Sequence, residues 1–427
     1  MEYRLQPEDV AAARDTLGEI LTTTPLVNMP NLSERHGATV LLKREDLQTV
    51  RSYKIRGAYN KIRGLAPDEL ARGVVCASAG NHAQGVAYSC ARLGIHGTIY
   101  MPATTPKQKR RQVKFFGRDN TETVLTGDTF DEASAAALEF AASTGRTFIH
   151  PFDDPRVIEG QATVGLEILE QTAGSVGGPG GLSGVAPDCI LVPIGGGGLA
   201  AGIGSYFKAM SPRTKIIGVE PAGAASMRAA IEAGEPVTLP SIDTFVDGAA
   251  VRRAGDLTHR ICAEVLDDII VVPEGKICTT ILELYNLNAI VAEPAGALSV
   301  AALDLCADRI KGKTVVAIVS GNNNDISRTE EIRERSLLYE GLKHYFVIRF
   351  PQRSGALLNF VREVLGPGDD ITHFAYSKKT NREQGPAIVG IEVAAREDLE
   401  GLVARMEAAG IVYEYLNDDP GLFDLLV

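Results

Sequence analysis

The sequence has no Cys-x-x-Cys pair, no clustering of Cys with His, no surplus of positive charge, and no run of about eighteen apolar residues. Each absence excludes something. Six cysteines (Cys76, Cys90, Cys189, Cys262, Cys278 and Cys306) lie scattered in apolar surroundings, which reads as buried free thiols in a reducing compartment rather than a disulfide framework or a metal site. Without a long apolar run no membrane span is expected. The acidic start, with Glu2, Glu8 and Asp9, has no basic-then-apolar targeting signal, so the expected location is the cytoplasm. With 43 Lys and Arg against 54 Asp and Glu, the net charge is −11. No basic field is left to hold a polyanion, and nucleic acid is not an expected partner.

What is present is ample material for a core. At 427 residues and 45% hydrophobic, the chain should form two or three units. A short helical segment is expected from Pro7 to Leu21, then a strand from Thr39 to Lys43. From Val74 an apolar run, a turn and an amphipathic stretch repeat. The expected strands are Val74–Ser78, Thr98–Met101, Thr123–Leu125, Thr147–Pro151, Cys189–Pro193, Lys215–Val219, Ile269–Val272 and Val315–Val319. Strands alternating with helices predict an α/β fold with parallel sheets covered on both faces. So many strands imply two lobes, the smaller from about Arg56 to Phe152. Gly174 to Pro187, almost all Gly, Ser, Pro, Val and Ala, is expected to be a surface excursion, because no strand precedes it and no helix opens from it.

Four stretches carry possible chemistry. In Arg51-Ser52-Tyr53-Lys54-Ile55-Arg56-Gly57-Ala58, Lys54 opens a helical pattern whose N-terminal dipole disfavours its positive charge, as a nucleophilic lysine requires. On its own it reads as one more surface lysine between two arginines, and only the later stretches overturn that. Ser78-Ala79-Gly80-Asn81-His82 stands where a strand ends and a helix begins. Its N–H groups, the Ser78 hydroxyl and the Asn81 amide could hold a carboxylate and a phenolic oxygen, whereas a single histidine such as His82 at a helix start reads as structural. Gly195-Gly196-Gly197-Gly198 follows a buried-strand run and precedes Leu199 and a helix. Such a turn either cradles a phosphate monoester with its backbone N–H groups or is merely tight; it is neither a Walker loop nor a dinucleotide fingerprint. Ser320-Gly321-Asn322-Asn323-Asn324 closes the strand ending at Val319 and puts a hydroxyl at a cleft edge.

Together these four motifs, in this order over residues 1 to about 335, resemble the signature of the pyridoxal-phosphate enzymes of the tryptophan-synthase β-subunit type. Within that group the wording is similar to the biosynthetic threonine ammonia-lyases, also called threonine dehydratases. The resemblance implies a two-lobed fold with pyridoxal 5'-phosphate held by Lys54 as a Schiff base. It implies Asn81 at the phenolic oxygen, Gly195, Gly196, Gly197, Gly198 and Leu199 at the phosphate, and Ser320 at the pyridine nitrogen. Lys54 would then remove the Cα proton and Ser78 would help seat the substrate carboxylate. The implied reaction converts L-threonine, and secondarily L-serine, to a 2-oxo acid and ammonia, on the route to isoleucine. A serine racemase or a broader serine/threonine deaminase of the same fold is the enzymatic alternative, and an amino-acid sensor with a dead site the non-enzymatic one. In the relatives that racemise, a serine stands at the position of Ala79.

Beyond Leu337 the rhythm changes to strand, helix, strand, strand, helix, strand, the ferredoxin-like α+β order. Residues 338–427 have no catalytic cluster and read as a binding or assembly module, with Asp325 to Tyr339 as the connector. The module resembles the ACT-like regulatory domain of biosynthetic threonine ammonia-lyases. That resemblance implies isoleucine as inhibitor, valine as activator and a homo-oligomer, dimer or tetramer. It places effector binding at the turn Arg353-Ser354-Gly355-Ala356-Leu357.

Overall fold

The computed structural model describes residues 3–18, 20–173, 186–377, 383–419 and 421–423. The chain divides into two units, Met1–Ile326 and Ser327–Val427. In the first, ten strands are described: β1 (Leu26–Asn28), β2 (Thr39–Arg44), β3 (Val74–Ala77), β4 (Gly97–Met101), β5 (Thr121–Leu125), β6 (Thr147–Phe148), β7 (Cys189–Pro193), β8 (Lys215–Pro221), β9 (Asp268–Val272) and β10 (Thr314–Val319). They form a six-stranded sheet in the order β1-β2-β10-β7-β8-β9 and a four-stranded one in the order β5-β4-β3-β6. All pairings are parallel except the edge pair β1 and β2. Every residue of β3, β4 and β7 is buried, as expected of parallel strands covered on both faces.

Most expected elements stand within one or two residues of their places, and three differ. The first helix is Pro7–Leu17 and stops at Gly18 instead of continuing to Leu21; the Ile20 and Leu21 N–H groups both meet the Leu17 carbonyl at 3.0 Å in a single closing turn, and Gly18 and the β-branched run Thr22–Thr24 favour no longer helix. β6 ends at Phe148 rather than Pro151; the segment makes one more bond to β3, from the Ile149 N–H to the Val75 carbonyl at 2.8 Å, and then leaves the sheet, and Pro151 has no N–H for a ladder. The third difference is the connector, taken up below. Of the glycine-rich stretch 174–187, residues 174–185 lie outside the described residues.

Charged side chains that look like surface residues in the sequence hold the lysine helix, Lys54–Arg63, in place. Arg56 is fully buried and donates to both Glu45 oxygens at 2.7 and 2.8 Å, to Glu167 at 2.8 Å and to Thr163 at 2.9 Å. Lys43, also fully buried, donates to the other Glu167 oxygen at 2.6 Å, to the Thr24 carbonyl at 2.7 Å and to Gln171 at 2.9 Å. Burial pushes the Lys43 ammonium down. At Glu167 burial works upward, but Arg56 and Lys43 outweigh it and hold the carboxyl below its usual range. Removing one member strands its partners without water, which costs about 3–5 kcal/mol. Arg56→Ala is therefore expected to lower stability by about that amount in urea unfolding. Arg56→Lys should not restore it, because an ammonium cannot reproduce the fork that meets two carboxylates.

In the second unit, β11 (Lys343–Pro351), β12 (Asp370–Tyr376), β13 (Gln384–Glu392) and β14 (Tyr413–Tyr415) form an antiparallel sheet in the order β12-β13-β11-β14. The helices Ala356–Glu363 and Asp398–Ala408 complete the βαββαβ order. The helix Thr329–Glu340, expected as a connector, belongs to this unit. Its Glu334 pairs with Lys343 at 2.8 Å and accepts from the Tyr345 hydroxyl at 2.6 Å, and its Arg333 pairs with Glu392 at 2.6 Å.

Candidate active site

A pocket in the first unit is lined by Tyr53, Lys54, Asn81, Pro193, Gly195, Gly248, Ala249, Glu293, Ala295 and Ser320. The ends of β7 and β10, the turn after β3 and the start of the lysine helix thus meet at one place. One residue from each of the four motifs is present: Lys54, Asn81, Gly195 and Ser320. The lysine turn is stitched to the Ser320 turn, with the Tyr53 N–H donating to the Ser320 carbonyl at 3.2 Å and the Asn322 N–H to the Arg51 carbonyl at 3.0 Å. Arg51 pays for this geometry in the left-handed region, at φ +62°, a conformation costing a residue with a side chain about 1–2 kcal/mol.

Gly195 to Leu199 form the cradle. Among the described residues no acceptor meets the N–H groups of these five, although all but Gly195 are buried. Buried donors without partners are rare and ask for a ligand. The turn tolerates no side chains: a Cβ on Gly196 would lie 2.2 Å from the Phe152 ring and one on Gly198 2.9 Å from the Phe152 carbonyl. Gly197 has φ +94°, and the Thr258 hydroxyl pins the turn by donating to the Gly196 carbonyl at 2.6 Å. The helix Gly198–Met210 begins here, so the unmet donors lie at its positive end. This set fits the phosphate of pyridoxal phosphate.

Lys54 is the first residue of its helix. Its Nζ donates to the Pro151 carbonyl at 3.0 Å and lies 5.4 Å from the Tyr53 ring centroid. Burial pushes its pKa down to about 8, with the Glu293 charge acting in the opposite sense. An amine near neutrality in a dry pocket is suited to attack a carbonyl carbon. Opposite it, Asn81 Nδ2 donates to Glu293 at 2.6 Å, and Asn81 Oδ1 accepts from Asn323 Nδ2 at 2.5 Å. The Ser320 hydroxyl is buried and donates to the Ala295 carbonyl at 3.1 Å.

Other candidates fall outside the lining. Ser78 closes the turn after β3, its Oγ accepting from the Gly80 N–H at 3.2 Å; neither it nor Gly196, Gly197, Gly198 and Leu199 lines the pocket beside Lys54. His82 is buried and its Nε2 meets the Ile149 carbonyl at 2.9 Å. Burial first, then Lys54, push its imidazole down to about 3, so it holds structure and is neutral. In the second unit, Arg353, Ser354 and Gly355 are exposed in the turn between β11 and the helix Ala356–Glu363, with Gly355 at φ +84° and Leu357 exposed. Sequence reasoning missed Glu293, Gly248, Ala249 and Ala295. The signal for Glu293 was a lone carboxylate before Pro294 in the otherwise apolar run Ile290–Leu298.

Residues 19–321 match the model of the pyridoxal-phosphate dependent enzyme family, and residues 334–426 match the C-terminal regulatory domain of threonine dehydratase. A Halalkalibacterium halodurans protein named L-threonine dehydratase biosynthetic IlvA is 53% identical over 424 residues, covering 99% of this chain and 100% of that protein. The Bacillus subtilis protein of the same name is 53% identical over 423 residues, 99% of this chain and 98% of its own. Among solved structures, processed threonine deaminase isoform 2 from Solanum lycopersicum is similar at 38% identity and TM-score 0.71, covering 79% of this chain and 96% of its own. Maize serine racemase is similar at 29% identity and TM-score 0.69, covering 79% of this chain and 99% of its own. The chain therefore belongs to the pyridoxal-phosphate dependent enzymes and, among them, to the biosynthetic threonine dehydratases that carry a C-terminal regulatory domain.

Proposed function

We propose that the protein removes water and then ammonia from L-threonine to give 2-oxobutanoate, acts secondarily on L-serine, and is inhibited by isoleucine and activated by valine at its C-terminal unit. The observation that carries the reading is the meeting of Lys54, Asn81 and Ser320 at one pocket whose lining residue Gly195 opens a run of five N–H groups that no acceptor meets among the described residues. When bound, pyridoxal phosphate supplies the electron sink for the substrate Cα. The chain does the rest. Gly195 to Leu199 hold the phosphate, and Lys54 Nζ anchors the ring and takes the Cα proton. Asn81 offers a donor to the phenolic oxygen, and Ser78, in the same turn after β3, meets the substrate carboxylate. A neutral Ser320 hydroxyl, unlike an aspartate, does not keep a pyridine nitrogen protonated, which favours prompt expulsion of a β-hydroxyl over long-lived carbanions. The enzyme works as a homo-oligomer, dimer or tetramer, in the cytoplasm.

Racemisation needs a second acid on the face opposite the lysine, and Ala79 has no proton to give. The test is a steady-state assay with L-threonine and L-serine, with and without isoleucine and valine, followed by chiral chromatography. The expected result is 2-oxobutanoate from threonine, a lower kcat/KM for serine, inhibition by isoleucine and negligible D-isomer. No 2-oxo acid from threonine, or racemisation as fast as deamination, would refute the reading.

A further inference from the structure

Glu293 is a titratable group in the pocket that the chemistry above does not use. It caps the helix Pro294–Leu305 and is 4% exposed. The chain makes room for its carboxylate with a glycine: a Cβ on Gly321 would lie 2.3 Å from Glu293 Oε1. That oxygen accepts from Asn81 Nδ2, and Asn81 Oδ1 accepts from Asn323 Nδ2. An amide held at both ends cannot turn over. Flipped, it would set its oxygen against the carboxylate and its N–H groups against those of Asn323. So locked, Asn81 keeps its second Nδ2–H for the pocket, where an anionic oxygen is the complementary partner.

We propose that Glu293 is a positioning residue for the cofactor: acting through Asn81, its carboxylate holds an N–H donor at the ring oxygen, and its charge stands beside the lysine linkage. Burial first, then Asp247, push the Glu293 carboxyl up to about 7, against the pull of Asn81 and Lys109. The groups that face it are Lys54, whose ammonium it favours, the Tyr53 phenol, which burial keeps neutral, and the ion pair of Lys109 with Asp247 next to the lining residue Gly248.

The inference rests on the placement of the cofactor at Lys54, and the experiment separates the two. Holoprotein of the wild type, Glu293→Gln, Glu293→Ala, Asn81→Ala and the double alanine variant is followed by pH titration of the absorbance of the lysine-linked cofactor and by the cofactor dissociation constant. Glu293→Gln keeps the volume and removes the charge that favours the protonated linkage, so the titration midpoint should fall by about one pH unit. Glu293→Ala should weaken cofactor retention about tenfold, and should add nothing on the Asn81→Ala background, because it acts through that amide. An unmoved midpoint in Glu293→Gln, or additive losses in the double variant, would overturn the role. Should Glu293→Ala fail to fold, the isosteric glutamine variant decides. A wild type without the band overturns the placement at Lys54 itself, whereas a normal wild-type band with unchanged variants overturns only the role of Glu293.

Discussion

Lys54→Ala should yield a folded protein that binds pyridoxal phosphate only reversibly and turns over threonine more than about 10⁴-fold slower than the wild type, because both the covalent anchor and the base are gone. The fold survives because the side chain contributes little to it: one hydrogen bond to the Pro151 carbonyl and a contact with the Tyr53 ring. In the cofactor-free protein the substitution should even relieve a cost. Burial lowers the Lys54 pKa from 10.5 to about 8, so the folded state disfavours the ammonium. That penalty is fully present below pH 8 and fades as pH rises toward 10.5, since the unfolded chain binds more protons across that window. The cofactor-free variant should thus melt no lower than the wild type at neutral pH, and its relative advantage should shrink in alkali. Borohydride reduction followed by peptide mapping should label Lys54 in the wild type and leave the variant unlabelled. Near-normal turnover in the purified variant would refute the role.

The parts of this site that could be read from sequence are those whose meaning is local. A strand followed by glycines and a helix is written in consecutive residues, as at Ile190–Ile203, and the unmet N–H groups of Gly198 and Leu199 follow from helix geometry alone. Lys54 became legible only beside three other strand ends. Glu293 did not become legible at all, because its partner Asn81 lies 212 residues away and a carboxylate before a proline reads as an ordinary helix cap. Arg56, Lys43, Glu45 and Glu167 were hidden for the same reason. Each looks like a solvated charge in its own segment, and only the packing of the lysine helix on the helix Pro155–Ala173, with Arg56 reaching Glu45 just past β2 and Lys43 of β2 reaching Glu167, makes them one buried array. The early end of β6 is the same lesson on the backbone. Apolar pattern continues to Pro151, but the chain turns away to bring that carbonyl to Lys54.

Removing residues 327–427 should leave an enzyme that still deaminates threonine and no longer responds to isoleucine. The cut belongs at the boundary after Ile326 rather than after Tyr339. The helix Thr329–Glu340 is tied to β11 and β13 by Glu334 and Arg333, so a cut behind it would leave those charges without partners. The first unit keeps both its sheets and its own apolar cores, including the fully buried β3, β4 and β7. The C-terminal unit carries none of the four cofactor motifs, so a ligand bound there affects catalysis only by favouring one arrangement of the protein over another. The proposed inhibition requires isoleucine to bind the less active arrangement more tightly, and a tenfold preference would supply about 1.4 kcal/mol per site, enough to raise the apparent threonine requirement when several sites are coupled. Gly355→Val offers the same test without a deletion. At φ +84°, with nothing within 4 Å of an added Cβ, valine meets no clash but strains the backbone of the turn by about 1–2 kcal/mol. It should therefore weaken isoleucine inhibition while leaving kcat for threonine unchanged. Full inhibition by isoleucine in the truncated protein would place the effector site in the first unit and sink the regulatory reading.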